Sequence, residues 1–173
     1  TVDGFFLRGL KRQLTDRLLD RVRDDAGIDL RRRLEVLYPL PVWERAVSVA
    51  AEELHPGVPQ PLAFELLGAA LTQGYFDTLV GQAIRPMAVL LGPGRAIHRI
   101  EASVRSANNY TESSVIRHAP NHYSVIVNEV GPLRDHLRGA VRRGLEVAGA
   151  RNLRCQVASH DATQVILDIS WDE

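Results

Sequence analysis

Up to about residue 107 the apolar positions recur three and four apart, and beyond it apolar and polar residues alternate, so the chain predicts helices followed by antiparallel strands. Thr15 fits an N-cap for a helix to about Asp25. Leu14, Leu18, Leu19 and Val22 form its apolar stripe and Gly27 ends it. Ile28 to Leu40 carries Arg31, Arg32 and Arg33 in a row. A second helix then starts at Pro41 and buries Trp43, Ala46, Val47, Ala50 and Leu54. His55 to Pro61 is a proline-rich connector, and Pro61 opens a third helix through Leu62, Leu66, Leu67, Ala70 and Leu71 toward Tyr75. Its continuation to Leu91 contains Gly74, Gly81 and Pro86, so two helices are expected to meet near Gly81. Leu91-Gly92-Pro93-Gly94 reads as a turn, followed by a short helix from Arg95 to about Val104.

Tyr110 to Arg117 reads as a strand that returns through Tyr123 to Asn128 around a turn at Ala119-Pro120-Asn121. Gly131-Pro132 starts a helix whose Leu133, Leu137, Val141 and Leu145 repeat every four residues, with Gly149 at its end. Leu153, Cys155 and Val157 then pair with Val165, Leu167, Ile169 and Trp171 around His160-Asp161-Ala162. The expected fold is α+β in one domain. An N-terminal helical layer of about residues 1–107 packs on a four-stranded antiparallel sheet, which the hairpin-helix-hairpin of about residues 108–173 supplies.

Composition narrows the function classes. A chain of 173 residues, 45% hydrophobic, can bury a sizeable core. Twenty-one basic residues balance 21 acidic ones, so there is no overall field to hold a polyanion, and no nucleic-acid partner is expected. DNA-binding regulation would need a basic recognition helix, and none is found. The single Cys155 makes no intramolecular disulfide and no cysteine metal cluster, which fits a reducing cytoplasm. The longest apolar runs are too short to span a bilayer, and the expected location is cytoplasmic.

Candidate chemistry is sparse. Asn108, Asn109, Tyr110 and Glu112 form the densest polar-aromatic cluster, readable as a binding rim or as a helix stop followed by a strand. His118 and His122 flank a turn and could share a metal across the hairpin, but no third ligand is in sight, and exposed turn histidines are favoured. Three adjacent arginines cannot share one face, so Arg31 to Arg33 read as a solvated surface. Gly92-Pro93-Gly94 lacks the residues of a phosphate loop. Ser48, Ser103 and Ser106 lack nucleophile context, and Cys155 reads as a buried inert thiol.

Three segments, WERAVSVAAEELHPG (Trp43 to Gly57), GYFDTLVG (Gly74 to Gly81) and NNYTESSV (Asn108 to Val115), resemble a family of single-domain proteins with many paralogues in myxobacteria. That resemblance reaches nearly the whole chain and implies no activity. In architecture the chain is similar to a wider superfamily of four-vinyl-reductase-like domains, haem nitric-oxide-binding domains and vesicle-tethering TRAPP subunits. The similarity implies a hydrophobic ligand between helices and sheet, or dimerisation through the helical face. By the same resemblance His98 would stand where a haem-binding relative places its axial histidine. The Tyr-x-Ser-x-Arg signature of those relatives is missing, since Tyr110 is followed by Thr111, Glu112, Ser113 and Ser114, and only Cys155 stands near the paired late cysteines of four-vinyl-reductase domains.

The leading expectation is a non-enzymatic cytoplasmic regulator or adaptor that binds a small hydrophobic molecule or a protein partner, without a cofactor. Its ligand- or partner-binding residues would be His98, Asn108, Asn109, Tyr110, Glu112 and Tyr75. The rivals are an enzyme acting on a bound hydrophobic molecule and a haem-based sensor. A homodimer is also expected. Val42, Trp43, Val49, Phe64, Leu67, Tyr75, Phe76, Leu79, Val80, Met87 and Leu90 exceed what the sheet can cover, although a thick internal layer could also bury them.

Overall fold

The helices begin and end where the local chemistry dictates. In the computed structural model, which describes residues 2–102, 110–128 and 131–172, the chain opens with a π-helical segment, Asp3–Gly9, and a short 3-10 turn, Lys11–Gln13. Then come α1 (Asp16–Ala26), α2 (Leu40–Leu54), α3 (Gln60–Phe76) and α4 (Leu79–Ile97). The Thr15 hydroxyl accepts the Leu18 N–H at 3.2 Å to start α1, and Gly27 closes it at φ 74°. A proline in the first turn starts both α2 and α3, where its missing N–H would have no partner in any case.

The second half supplies β1 (Ser113–Ala119), β2 (His122–Asn128), α5 (Arg134–Val147), β3 (Arg151–His160) and β4 (Gln164–Asp172). The sheet is antiparallel throughout, in the order β1-β2-β4-β3. One face is dry. Tyr123, Val125, Val127, Val165, Leu167, Ile169 and Trp171 are buried there, and Val141 and Leu145 of α5 and Ile97 of α4 complete that core.

A second apolar cluster lies among the helices. Phe5, Phe6, Leu10, Leu18, Val22, Val47, Phe64 and Leu67 are buried in it, with Trp43 edge-on to Phe5 at 4.8 Å. The helical layer reaches the sheet through α5, which packs along α3 on one side and against β3 on the other. Two glycines permit that approach: the backbone of His136 fills the place of a Cβ on Gly68, and the backbone of Glu65 fills that on Gly139. Polar side chains tie the pair along its length. Glu65 receives Arg138 at 2.6 Å and Arg142 at 3.2 Å, and the Gln73 side-chain oxygen receives Arg143 at 2.6 Å.

Some expectations need correction. The two central helices part at Asp77-Thr78 and not at Gly81, because the Thr78 hydroxyl caps α4 by accepting the Gly81 N–H at 3.1 Å. Gly92 does leave helical geometry, at φ 73° and ψ 170°, but the helix resumes at once and runs to Ile97. The expected extension to Val104 lies outside the described residues. β1 starts at Ser113, so Tyr110 and Glu112 precede it. The Asn128 side chain binds their backbone there, donating to the Tyr110 carbonyl at 2.8 Å and accepting the Glu112 N–H at 3.0 Å. The crowded apolar list also divides: Val49, Phe64 and Leu67 are buried within the helical cluster, whereas Leu79, Val80, Met87 and Leu90 of α4 are exposed.

Candidate functional site

The end of α4 meets the sheet at a small aromatic stack. Gly94 brings the helix close, since a Cβ there would stand 3.4 Å from the Tyr123 hydroxyl. His98 caps the helix and lies exposed, its ring edge-on to Tyr123 at 5.7 Å. Tyr123 in turn lies flat on Trp171, with centroids 5.4 Å apart and planes within 8°. The Tyr123 hydroxyl donates to the Pro120 carbonyl at 3.3 Å, and the Asn121 side-chain amide fixes the end of β4 by donating a hydrogen bond to the Trp171 carbonyl at 2.6 Å. Glu101 fastens the next turn to β1 by accepting the Val115 N–H at 3.1 Å. The result is a platform of two stacked rings buried at the edge of the sheet core, with one exposed imidazole beside it.

Tyr110 and Glu112 are brought together by Asn128. Glu112 and Asn128 share a shallow hollow of about 250 Å³ with Ser113, Ser114, Ile126, Thr163 and Gln164. Tyr75 stands elsewhere, at the corner between α3 and α4, where its ring meets Phe76 at 5.6 Å. Asn108 and Asn109 lie outside the described residues. A second hollow of about 290 Å³ opens between α2 and α3 and is lined by Ser48, Ala51, Glu52, Val58, Gln60, Ala63 and Phe64. Both are at or below the smallest usual ligand pockets, ~300–1,000 Å³.

The remaining candidates take structural roles. His118 and His122 stand with ring centroids 4.9 Å apart, but each is engaged, His118 with the Ser124 hydroxyl at 2.8 Å and His122 with Asp168 at 2.7 Å. Among the described residues no group of three or more histidine, cysteine or carboxylate side chains could hold a metal ion. Arg31 pairs with Asp16 and Asp20, and Arg32 with Asp29, so the arginine run lies along an acidic surface of its own chain. Cys155 packs against the sheet core, and burial pushes its thiol up to about 12.

Sequence reasoning did not single out the Tyr123–Trp171 stack, because both residues already served as ordinary inward strand positions. The available signal was their diagonal placement on neighbouring strands near one sheet end, Tyr123 pairing with Ile169 and Trp171 lying two residues beyond, which needs the β2–β4 register to be known.

The sequence profile of one family, described as protein of unknown function (DUF2378), matches residues 1–172. The chain belongs to the DUF2378 family. No curated protein matches this DUF2378 protein. Solved structures do resemble it. The H-NOX protein from S. oneidensis in the Fe(II)NO ligation state has a TM-score of 0.68 at 12% identity and covers 99% of this chain and 98% of its own. The Fe(II) unliganded H-NOX protein from K. algicida has a TM-score of 0.64 at 12% identity, covering 99% and 94%. A protein solved in work on modulating heme redox potential through porphyrin distortion reaches a TM-score of 0.70 at 9% identity, covering 99% and 94%. At such identities the likeness establishes a shared fold.

Proposed function

We propose that this DUF2378 protein is a non-enzymatic sensor module that binds a small hydrophobic molecule against the His98–Tyr123–Trp171 platform. The observation that carries the reading is the platform itself: two stacked rings and an exposed imidazole at the contact between α4 and the sheet. Tyr123 is 3% and Trp171 7% exposed, so a flat apolar ligand reaches the rings only as α4 moves off the sheet, and the exposed imidazole offers it one polar contact. Helix and strand meet there, so a bound molecule would bias how α4 sits on the sheet, which is what a regulatory module requires. The whole-chain likeness to H-NOX structures supports ligand sensing more than a protein adaptor role.

A haem-based sensor is the second reading, favoured by the likeness to a structure solved in work on heme redox potential. His98 would be its iron ligand. The described residues do not fit that group well: His98 leans on Tyr123, neither hollow includes it, and the stretch from Tyr110 to Ser114 carries Glu112 where the haem-binding signature has serine. A carboxylate there would repel a haem propionate.

Native mass spectrometry of the purified chain, an absorption spectrum of the same sample and a hemin titration test both readings. The sensor reading expects a retained or titratable small molecule, with quenching of tryptophan fluorescence that Trp171→Phe diminishes. A Soret band abolished by His98→Ala would establish the haem reading instead. A clean apo mass, with no fluorescence or melting response to hemin or to a hydrophobic dye, would defeat both.

A further inference from the structure

On the solvent side of the sheet, where β1 turns into β2, two imidazoles stand side by side. The register slips by one residue there, Arg117 pairing with Tyr123 but Ala119 with His122, so a bulge sets both His118 and Ala119 opposite His122. The two ring centres are 4.9 Å apart. Each ring is also held from one side. His122 Nε2 lies 2.7 Å from the Asp168 carboxylate, which only accepts, so in the neutral ring that nitrogen carries the proton and Nδ1 keeps its lone pair. His118 Nε2 lies 2.8 Å from the Ser124 hydroxyl, which accepts the proton of the matching tautomer. Neither Nδ1 has a hydrogen-bond partner among the described residues.

We infer that His118 and His122 form a binding site for a late first-row divalent ion, zinc(II) or copper(II), held through both Nδ1 atoms with water completing its coordination. Imidazole suits these ions, and a metal-bound histidine ordinarily gives the proton of its other nitrogen to a carboxylate or another acceptor, as Asp168 and Ser124 provide here. The spacing agrees. With a metal–nitrogen bond of ~2.0 Å a ring centre stands ~3.2 Å from the ion, so two rings on one tetrahedral ion have centres about 5.2 Å apart. The observed 4.9 Å is close to that. Charge selects a cation over an anion. Asp168 stands beside His122, Arg117 is turned to the Ala119 carbonyl, and Arg154 lies two strands from His122, about 10 Å at ordinary strand spacing. Two protein ligands make an open site, weaker than one with three or four. The turn it would clip also holds the platform, because Pro120 accepts the Tyr123 hydroxyl and Asn121 binds the Trp171 carbonyl. An ion there would steady the sheet end on which α4 sits. The site goes beyond the ligand reading and does not rest on it.

Isothermal titration of the metal-free, untagged full chain with zinc chloride, and separately with copper(II) chloride, tests the inference. One ion per chain should bind in the micromolar range. His118→Ala and His122→Ala should each abolish that binding, and Asp168→Asn should weaken it about tenfold or more by releasing the His122 ring. His160→Ala, at the far end of the sheet, should leave it unchanged. Zinc should also raise the melting temperature of the wild type and not that of either alanine variant. All three site residues lie on the solvent face, so circular dichroism of the variants should show an intact fold. A readout that needs no variant is the imidazole NMR spectrum of the wild type, in which zinc should shift the signals of His118 and His122 first. Binding that appears only at millimolar ion would overturn the inference, as would an ion that persists in both alanine variants or one that shifts other imidazoles instead. Hemin and dye titrations of His118→Ala read the platform separately, so the two proposals can fail independently.

Discussion

The imidazole of His136 lies 5.5 Å from the ring of Phe5, tilted by 40°, so α5 meets the N-terminal π-helical segment through a histidine whose buried Nε2 has no hydrogen-bond partner among the described residues. Burial disfavours the charged ring and pushes its pKa down from 6.5 to about 4. Between those two values the unfolded chain binds the proton and the folded chain does not, so stability falls as pH drops through that window and is fully present above it. The loss by pH 4 is at most about 3 kcal/mol. Urea unfolding at a series of pH values should show this slope in the wild type and a shallower one in His136→Leu. Curves of equal slope would put the ring in water.

The glycines of α5 give a matched pair of substitutions. Alanine is the better helix former by about 1 kcal/mol, so Gly144→Ala, with nothing within 4 Å of the added methyl, should raise stability by roughly that amount. Gly139→Ala meets the backbone of Glu65 and must push α3 and α5 apart, for an expected net loss of about 1–3 kcal/mol. Opposite signs in thermal melts are the test.

Glu65 is the acceptor shared by Arg138 and Arg142, and its side chain is only 17% exposed. Removing it leaves the largely buried Arg138 guanidinium with Asp135, at 3.3 Å, as its remaining carboxylate partner, so Glu65→Ala should cost about 1–3 kcal/mol. Arg142 is half-exposed, and Arg142→Ala should cost less than about 1 kcal/mol. Equal losses in denaturant unfolding would mean that the pairing is not what holds α3 to α5.

Cys155 should label slowly. With its thiol at about 12 and its sulfur against the Arg138 carbonyl at 3.9 Å, little thiolate forms near neutral pH and reagent access is restricted. A chromogenic disulfide reagent should react with the native chain far more slowly than with the unfolded chain. Equal rates would return the residue to the surface.

The sheet was largely legible because strand alternation and turn chemistry agree. Pro120-Asn121 separates β1 from β2, Asp161 accepts the N–H groups of Thr163 and Gln164 in the second turn, and Leu137, Val141 and Leu145 mark the covered side of α5. The misses came where a side chain far away in sequence decides local structure. Asn128 holds Tyr110 and Glu112 ahead of the strand, and no pattern within residues 110–117 announces it. The Thr78 cap was overlooked because glycine at 81 looked like the stronger breaker. Phe5 and Phe6 are buried in a segment too short and irregular to show helical periodicity. Of the candidate site, His98 was nominated on resemblance, whereas its aromatic neighbours required the pairing of strands more than forty residues apart.

The strand order β1-β2-β4-β3 also bears on how the chain finds its structure. Each hairpin closes a short local loop, but the central β2–β4 seam joins positions such as His122 and Asp168, 46 residues apart, with α5 between them. Loop-closure entropy makes local pairing fast and the seam slow. The two hairpins can therefore form early and independently, and the rate-limiting event becomes their zipping together as α5 closes over Val125 and Leu167. Substitutions at the seam should slow refolding, while those at the two outer strands should chiefly speed unfolding.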